Sequence, residues 1–387
     1  MDGSIFFEYN NGTRKIKEFF KDKKYIYKSR RGLLDDKEIK RIITFVNSIE
    51  KGIKLPVIFD MGEVEVNDKI SYILFEYICY YLLIERGYRC CVDIQFNKSI
   101  VSYNVEASPL LIIDRKRMLG SQDDYETAKR EYEKKFKFDT GPNYIRKIIK
   151  KEDHGTDVAS RLVSDIETTL KNLNLDEKQR NSICEVIAEL IDNSGEHAES
   201  DCIIDVDITP DHIKEDAEGR YYGANIVVFD VSKRLFGEKI KVLLKDATVQ
   251  HSDSYKRLQV AYDYHMQYWD EHYKEEDFFI MSAFQHRISS RREEYFTGGT
   301  GLTRFISALE LQSDAYQCFL WTGNRKMYFY HQLLHTDNEN WVGFNEEKDF
   351  MSHIPNKAIL EDSCVYFAGT AYNLNFILKK ESDYNEQ

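Results

Sequence analysis

Apolar residues recur along this chain at two different spacings, and the switch between them marks its elements. A helical repeat runs through Val158, Leu162, Ile166 and Leu170, then through Ile183, Val186, Ile187, Leu190 and Ile191. The spacing predicts one helix over about 157–173 and a second from Ile183 to Ala198, with Asn174 and Asp176 turning the chain between them. Alternation then takes over. Cys202 to Ile208 reads as a half-buried strand, Pro210 and Asp211 as a turn, and Ala224 to Asp230 as a strand ending in a carboxylate. Two helices followed by adjacent strands predict a two-layer α/β sandwich.

The first half has the same ingredients in a different order. The pattern predicts a helix around Asp36–Lys51, a short buried strand from Leu55 to Asp60, and a helix capped by Asp68 that Gly87 ends. Further strands are expected at Cys90 to Ile94 and Leu110 to Ile113. Strand–helix–strand spacing of this kind predicts a smaller α/β domain over 1–120. Residues 121–153 are highly charged and lack a clean apolar period. They read as a linker or an exposed connecting helix before the domain over 154–387.

Composition narrows the partners. A chain of 387 residues predicts two domains, and 42% apolar with 13% aromatic residues suffices for packed interiors. Lys plus Arg number 54 against 66 Asp plus Glu, a net charge of −12, which argues against a general nucleic-acid binder. Residues 1–31 depart from this balance, with nine basic against four acidic side chains, a surplus of +5. The seven cysteines form no CxxC pair, and several sit in apolar runs. The first residues lack the charged-then-apolar pattern of a secretory signal, and the longest apolar run, Ile73 to Ile84, is interrupted by Glu76 and too short to span a bilayer. A cytoplasmic protein without a membrane span is expected.

Candidate chemistry gathers in three pieces. At about 100° per residue, Glu189 and Asn193 sit roughly 40° apart at one border of the apolar stripe on the second helix. The carboxylate could take a proton from water, and the amide oxygen is a hard ligand of the kind Mg²⁺ accepts. An ordinary amphipathic helix with a polar flank carries the same pair. The second piece is Asp230, closing the strand. The third is the run Phe296-Thr297-Gly298-Gly299-Thr300-Gly301-Leu302, followed by the helical pattern of Phe305, Ile306 and Leu309. Glycines ahead of a helix let backbone amides approach an anion closely. The run has neither the GK[ST] of a P-loop nor GxGxxG spacing. Nor is there a clustered His/Cys zinc site or a G-x-S-x-G elbow.

In this order the three pieces resemble the GHKL ATPase superfamily, whose ATP-binding domain has the Bergerat fold. ELIDNSGEHA is similar to the family's N-box, NIVVFD to the strand leading into the G1 box, and FTGGTGLTRF to the G2 box. Phe279 to Phe284 through Ser289-Ser290-Arg291-Arg292 resembles a lid, and Phe367 to Leu378 the terminal strands, so the resemblance covers about 155–380. It implies ATP and Mg²⁺ as ligands, with Asn193 holding the metal and Glu189 as general base. Asp230 would accept from the adenine amine. Gly298, Gly299, Thr300, Gly301 and Leu302 would line the phosphates, and Arg291 or Arg292 would add positive charge from the lid. Where the family has DxGxG, this chain reads Asp230-Val231-Ser232-Lys233-Arg234, with both glycines replaced and Arg234 large enough to enter the pocket. The outline of 1–120 is similar to STAS-like regulatory domains, which would place a protein partner there or at the long lid insertion, 231–297. A homodimer is also open. The expected function is ATP hydrolysis or phosphoryl transfer in a regulatory or defence setting. A nucleotide-gated binding module with little turnover is the alternative.

Overall fold

The computed structural model describes residues 3–66, 68–97, 108–173, 175, 177–195, 200–212, 221–246, 252–288, 302, 305–307 and 318–379. Its elements begin with α1 (Gly3–Tyr9), β1 (Phe20–Lys21), β2 (Lys24–Lys28), β3 (Leu33–Leu34) and α2 (Asp36–Ile49). Then come β4 (Val57–Val66), α3 (Lys69–Tyr80), β5 (Cys90–Phe96), α4 (Arg115–Met118) and α5 (Gln122–Lys137). Strands β6 (Phe138–Gly141) and β7 (Tyr144–Ile149) precede α6 (Asp157–Asn172), α7 (Glu177–Asn193), β8 (Cys202–His212) and β9 (Tyr221–Asp230). Helices α8 (Glu238–Leu244), α9 (Asp253–His265) and α10 (Glu275–Ser282) lead to β10 (Phe319–Tyr328) and β11 (Leu360–Lys379).

The class is α/β, built on two sheets. In the first, β2, β3 and β5 all run parallel to a central β4, and β1 is antiparallel to β2. The second is antiparallel in the order β10-β11-β9-β8-β7-β6. Period-2 alternation gives this second sheet two apolar faces. Ile204, Val206, Ile226, Val228, Leu374 and Phe376 face a core shared with α6 and α7. Ile203, Val227, Phe229 and Ala371 face a core shared with α2, α3 and α5.

Helix α3 explains how the halves join. Every residue from Lys69 to Cys79 is buried, a pattern expected of a helix covered on all sides. It packs on β4 of the first sheet and on β9 and β11 of the second. The Asp68 side chain accepts from the Ser71 amide at 2.7 Å, capping α3 as its sequence predicts.

Charge crosses the same boundary. The Arg146 guanidinium donates to Asp205 Oδ2 at 2.6 Å and is ion-paired with Glu76 Oε2 at 2.7 Å. Lys69 pairs with the other Asp205 oxygen and donates to the Asn225 carbonyl at 3.3 Å. The Tyr144 hydroxyl adds a bond to Asp205 at 2.9 Å, and the Ser108 hydroxyl one to Glu76 at 3.0 Å. Burial pushes both carboxyls up. Lys69 and Arg146 outweigh it at Asp205, whose pKa falls below the usual range, whereas at Glu76 burial wins.

Three sequence expectations are corrected. Residues 121–153 are not a linker. Helix α5 buries Tyr125, Ala128, Tyr132 and Phe136, and β6 and β7 form one edge of the second sheet. The apolar period is present but carried by aromatic rings among long charged side chains, which depress the average without disturbing the buried stripe. Leu110 to Ile113 is not a strand: Pro109–Ile112 forms a 3₁₀ turn opened by the Ser108 side chain. Nor do Pro210 and Asp211 end β8, which runs on to His212 through a register shift after Thr209. Proline cannot donate to the ladder, and an irregularity removes the need.

Candidate functional site

The site is built where the end of α7 and the end of β9 meet the middle of β11. Asp230 follows Val228 by two positions, so alternation turns its side chain to the α7 face. Its strand partner there is Cys202. Only 2% of Asp230 is exposed, and Oδ1 has no hydrogen-bond partner among the described residues. Burial pushes this carboxyl up to about 8, against the opposing effect of the Ser232 hydroxyl and the Thr370 amide.

Gly369 permits this arrangement. Its φ is +111°, and a Cβ there would lie 2.5 Å from the Asp230 carbonyl and 2.6 Å from Oδ1. The turn after Asp230 holds together without the two glycines the resemblance called for. Ser232 donates its amide to the Ala368 carbonyl at 3.1 Å and its hydroxyl to the Arg234 carbonyl at 3.0 Å. None of residues 231–234 has positive φ, so glycine is not required there. Val231 is buried, while Lys233 and Arg234 are exposed at the surface.

From the helical side, Asn193 Nδ2 donates to Glu189 Oε1 at 3.2 Å. Both side chains are half-buried. The bond uses the amide nitrogen, so the amide oxygen is the atom a cation would meet. Two contacts hold the end of α7 down. The Ser194 hydroxyl donates to the Leu190 carbonyl at 3.1 Å and also lies against the Cys202 thiol. A Cβ on Gly195 would come 2.4 Å from the His154 ring, so glycine lets His154 pack onto the helix end. Cys202 thus touches the helix on one side and faces Asp230 on the other.

Tyr372, which the sequence reading passed over, completes the site. It is 3% exposed, its hydroxyl has no partner among the described residues, and its ring meets Phe236 and Phe305 edge-on at 6.1 and 5.8 Å. Burial raises the hydroxyl well above its ordinary pKa, and the Asp230 and Glu189 carboxylates raise it further. A polar-tipped ring two residues after a Gly-Thr step in a strand was the available signal.

The remaining predicted residues divide. Gly298, Gly299, Thr300, Gly301, Arg291 and Arg292 lie outside the described residues. Leu302 is helical and half-buried against the α7 core, and Phe305 and Ile306 are 1% exposed. Phe305 touches Tyr372.

Elsewhere, a cavity of about 310 Å³ lies among Asp253, Arg257, His286, Arg287 and Trp341, and shares no residue with this site. Arg257 is engaged there already, stacked on Trp341 at 4.4 Å and paired with Asp337 and Glu339. Among the described residues no group of three or more His, Cys, Asp or Glu could hold a metal, and no helix is long and apolar enough to cross a membrane. No family model matches this sequence, and no curated protein or solved structure matches it.

Proposed function

We propose that the chain binds Mg-ATP between α7, the end of β9 and the middle of β11, and hydrolyses it or passes its γ-phosphate to an acceptor. The observation that carries this reading is Asp230. A carboxylate oxygen almost wholly removed from water, with no donor to meet it among the described residues, is costly for the ligand-free fold and suited to a buried amine. Gly369 lets the β11 backbone close onto this carboxylate, where a side chain would collide with it.

The helical side supplies what phosphoryl transfer asks for, namely positioning and charge neutralisation. Asn193 would hold Mg²⁺ through its amide oxygen, a hard donor, with phosphate and water oxygens filling the shell. Bound there, the ion would neutralise charge on the phosphates. Glu189, fixed by the bond from Asn193, would accept a proton from water or from an acceptor hydroxyl. Backbone amides of Gly298 to Leu302 would meet the phosphates at the start of their helix. Six of the seven cysteines are buried, Cys364 is exposed and all seven are free, which suits a reducing, cytoplasmic setting.

Titration calorimetry with ATP and ADP, with and without Mg²⁺, tests the reading. Wild type should bind ATP, and Asp230→Ala should bind it at least about tenfold more weakly. Glu189→Ala should keep binding and lose turnover by about 10²-fold or more. Turnover that survives Glu189→Ala would remove the catalytic part.

A nucleotide-gated switch with little turnover is the second reading. It is favoured by the first half of the chain, which packs on the back of the sheet that carries Asp230. ATP-dependent change in hydrogen exchange across α3 and β8 would support it. Steady hydrolysis with no such change would count against it.

A further inference from the structure

Tyr372 is buried where phenylalanine would serve the packing as well. Its ring belongs to an aromatic cluster with Phe236, Phe284, Phe305 and Phe329, none of which needs a hydroxyl. The hydroxyl has no partner among the described residues, and a hydroxyl desolvated in that way costs the fold stability and returns nothing to it. Asp230 Oδ1 is the second orphan on this face, and it lies one rung away. Strand β11 pairs Tyr372 with Val228, and Asp230 is two residues further along β9. The two groups can take opposite senses: Asp230 only accepts once it gives up the proton that burial holds on it, whereas the phenol can donate. Neighbouring buried groups of opposite sense call for a ligand edge that presents a donor beside an acceptor. An exocyclic amine next to a ring nitrogen is such an edge.

We propose that Tyr372 is a specificity-determining residue of the nucleotide site, donating from its hydroxyl to a ring nitrogen of the base while Asp230 accepts from the amine. The inference rests on the ATP reading above and adds the group that reads the base beside the amine. It also accounts for why the chain keeps an oxygen that weakens the ligand-free protein: the partner arrives with the ligand. A buried donor of this kind rejects a base lacking the acceptor, because the hydroxyl is then left unpaired in the complex.

The experiment is a binding cycle by calorimetry, with ATP and its 1-deaza, 3-deaza and 7-deaza analogues, on wild type and Tyr372→Phe. Wild type should bind at least one analogue about tenfold more weakly than ATP. Tyr372→Phe should bind ATP about tenfold more weakly than wild type does, and the gap between ATP and that analogue should close. Its thermal midpoint without ligand should hold or rise, since the variant loses only an unpaired group.

The inference is overturned if the variant binds ATP within about twofold of wild type. It is also overturned if wild type shows no gap with any analogue, or if the gap survives the substitution. A fall in the ligand-free midpoint overturns it too, because the hydroxyl would then be supporting the fold. Failure of wild type to bind ATP at all removes both readings, whereas the other outcomes remove only this one.

Discussion

The two faces of the second sheet bury charge equally deeply and treat it in opposite ways. On the back, Arg146, Asp205, Glu76 and Lys69 are almost wholly out of water, and each meets an opposite charge. On the front, Asp230 and Tyr372 are as deeply buried, and each leaves a polar atom without a partner among the described residues. Burial alone therefore says little about function. Pairing separates these two clusters: the charges of the first join the two halves of the chain as ion pairs, and the second holds no opposite charge.

The comparison breaks first at Arg146. Arg146→Met leaves Asp205 with only Lys69, leaves Glu76 without a counter-charge, and should cost about 3–5 kcal/mol in urea denaturation. A loss under about 1 kcal/mol would show that these ion pairs do not hold in solution. Gly369→Ala should come next. It adds a methyl to a left-handed position and drives it against Asp230, costing about 2–3 kcal/mol and most of the nucleotide affinity. A variant as stable as wild type would mean that the two strands sit further apart than this geometry places them.

The smallest effect sharpens the contrast by pH. Asp230 titrates near 8 in the fold against an ordinary 3.8, so the folded state holds a proton that the unfolded chain has already released. Stability from this group is fully present below about pH 4 and is lost as pH rises through about 8. Between pH 7 and pH 8 wild type should lose about 1 kcal/mol that Asp230→Asn does not lose. Matching slopes in the two proteins would place Asp230 in contact with water. Asp205 is shifted the other way, so its contribution is lost on acidification instead.

Much of the candidate site was legible before any coordinates. Glu189 and Asn193 share a helix face because four residues make slightly more than one turn, and Asp230 shares Val228's face because strands repeat in two. Both inferences need only local geometry. The turn at Ser232 was not legible, since whether a serine can replace glycine depends on a carbonyl contributed by Ala368, far along the chain. Tyr372 was missed for a related reason. A tyrosine inside an apolar strand is ordinary, and only its neighbours show that its hydroxyl has none to bond among the described residues.

The amino-acid order by itself determined the class of each long element and the pairing of helices with strands, because apolar period follows from backbone geometry within a few residues. Tertiary structure alone decided that α5, β6 and β7 belong to the body of the protein and that α3 lies between two sheets. It alone decided which buried polar groups are met and which are left over. Those outcomes depend on contacts between residues more than a hundred positions apart, such as Lys69 with Asp205, and no local pattern encodes them.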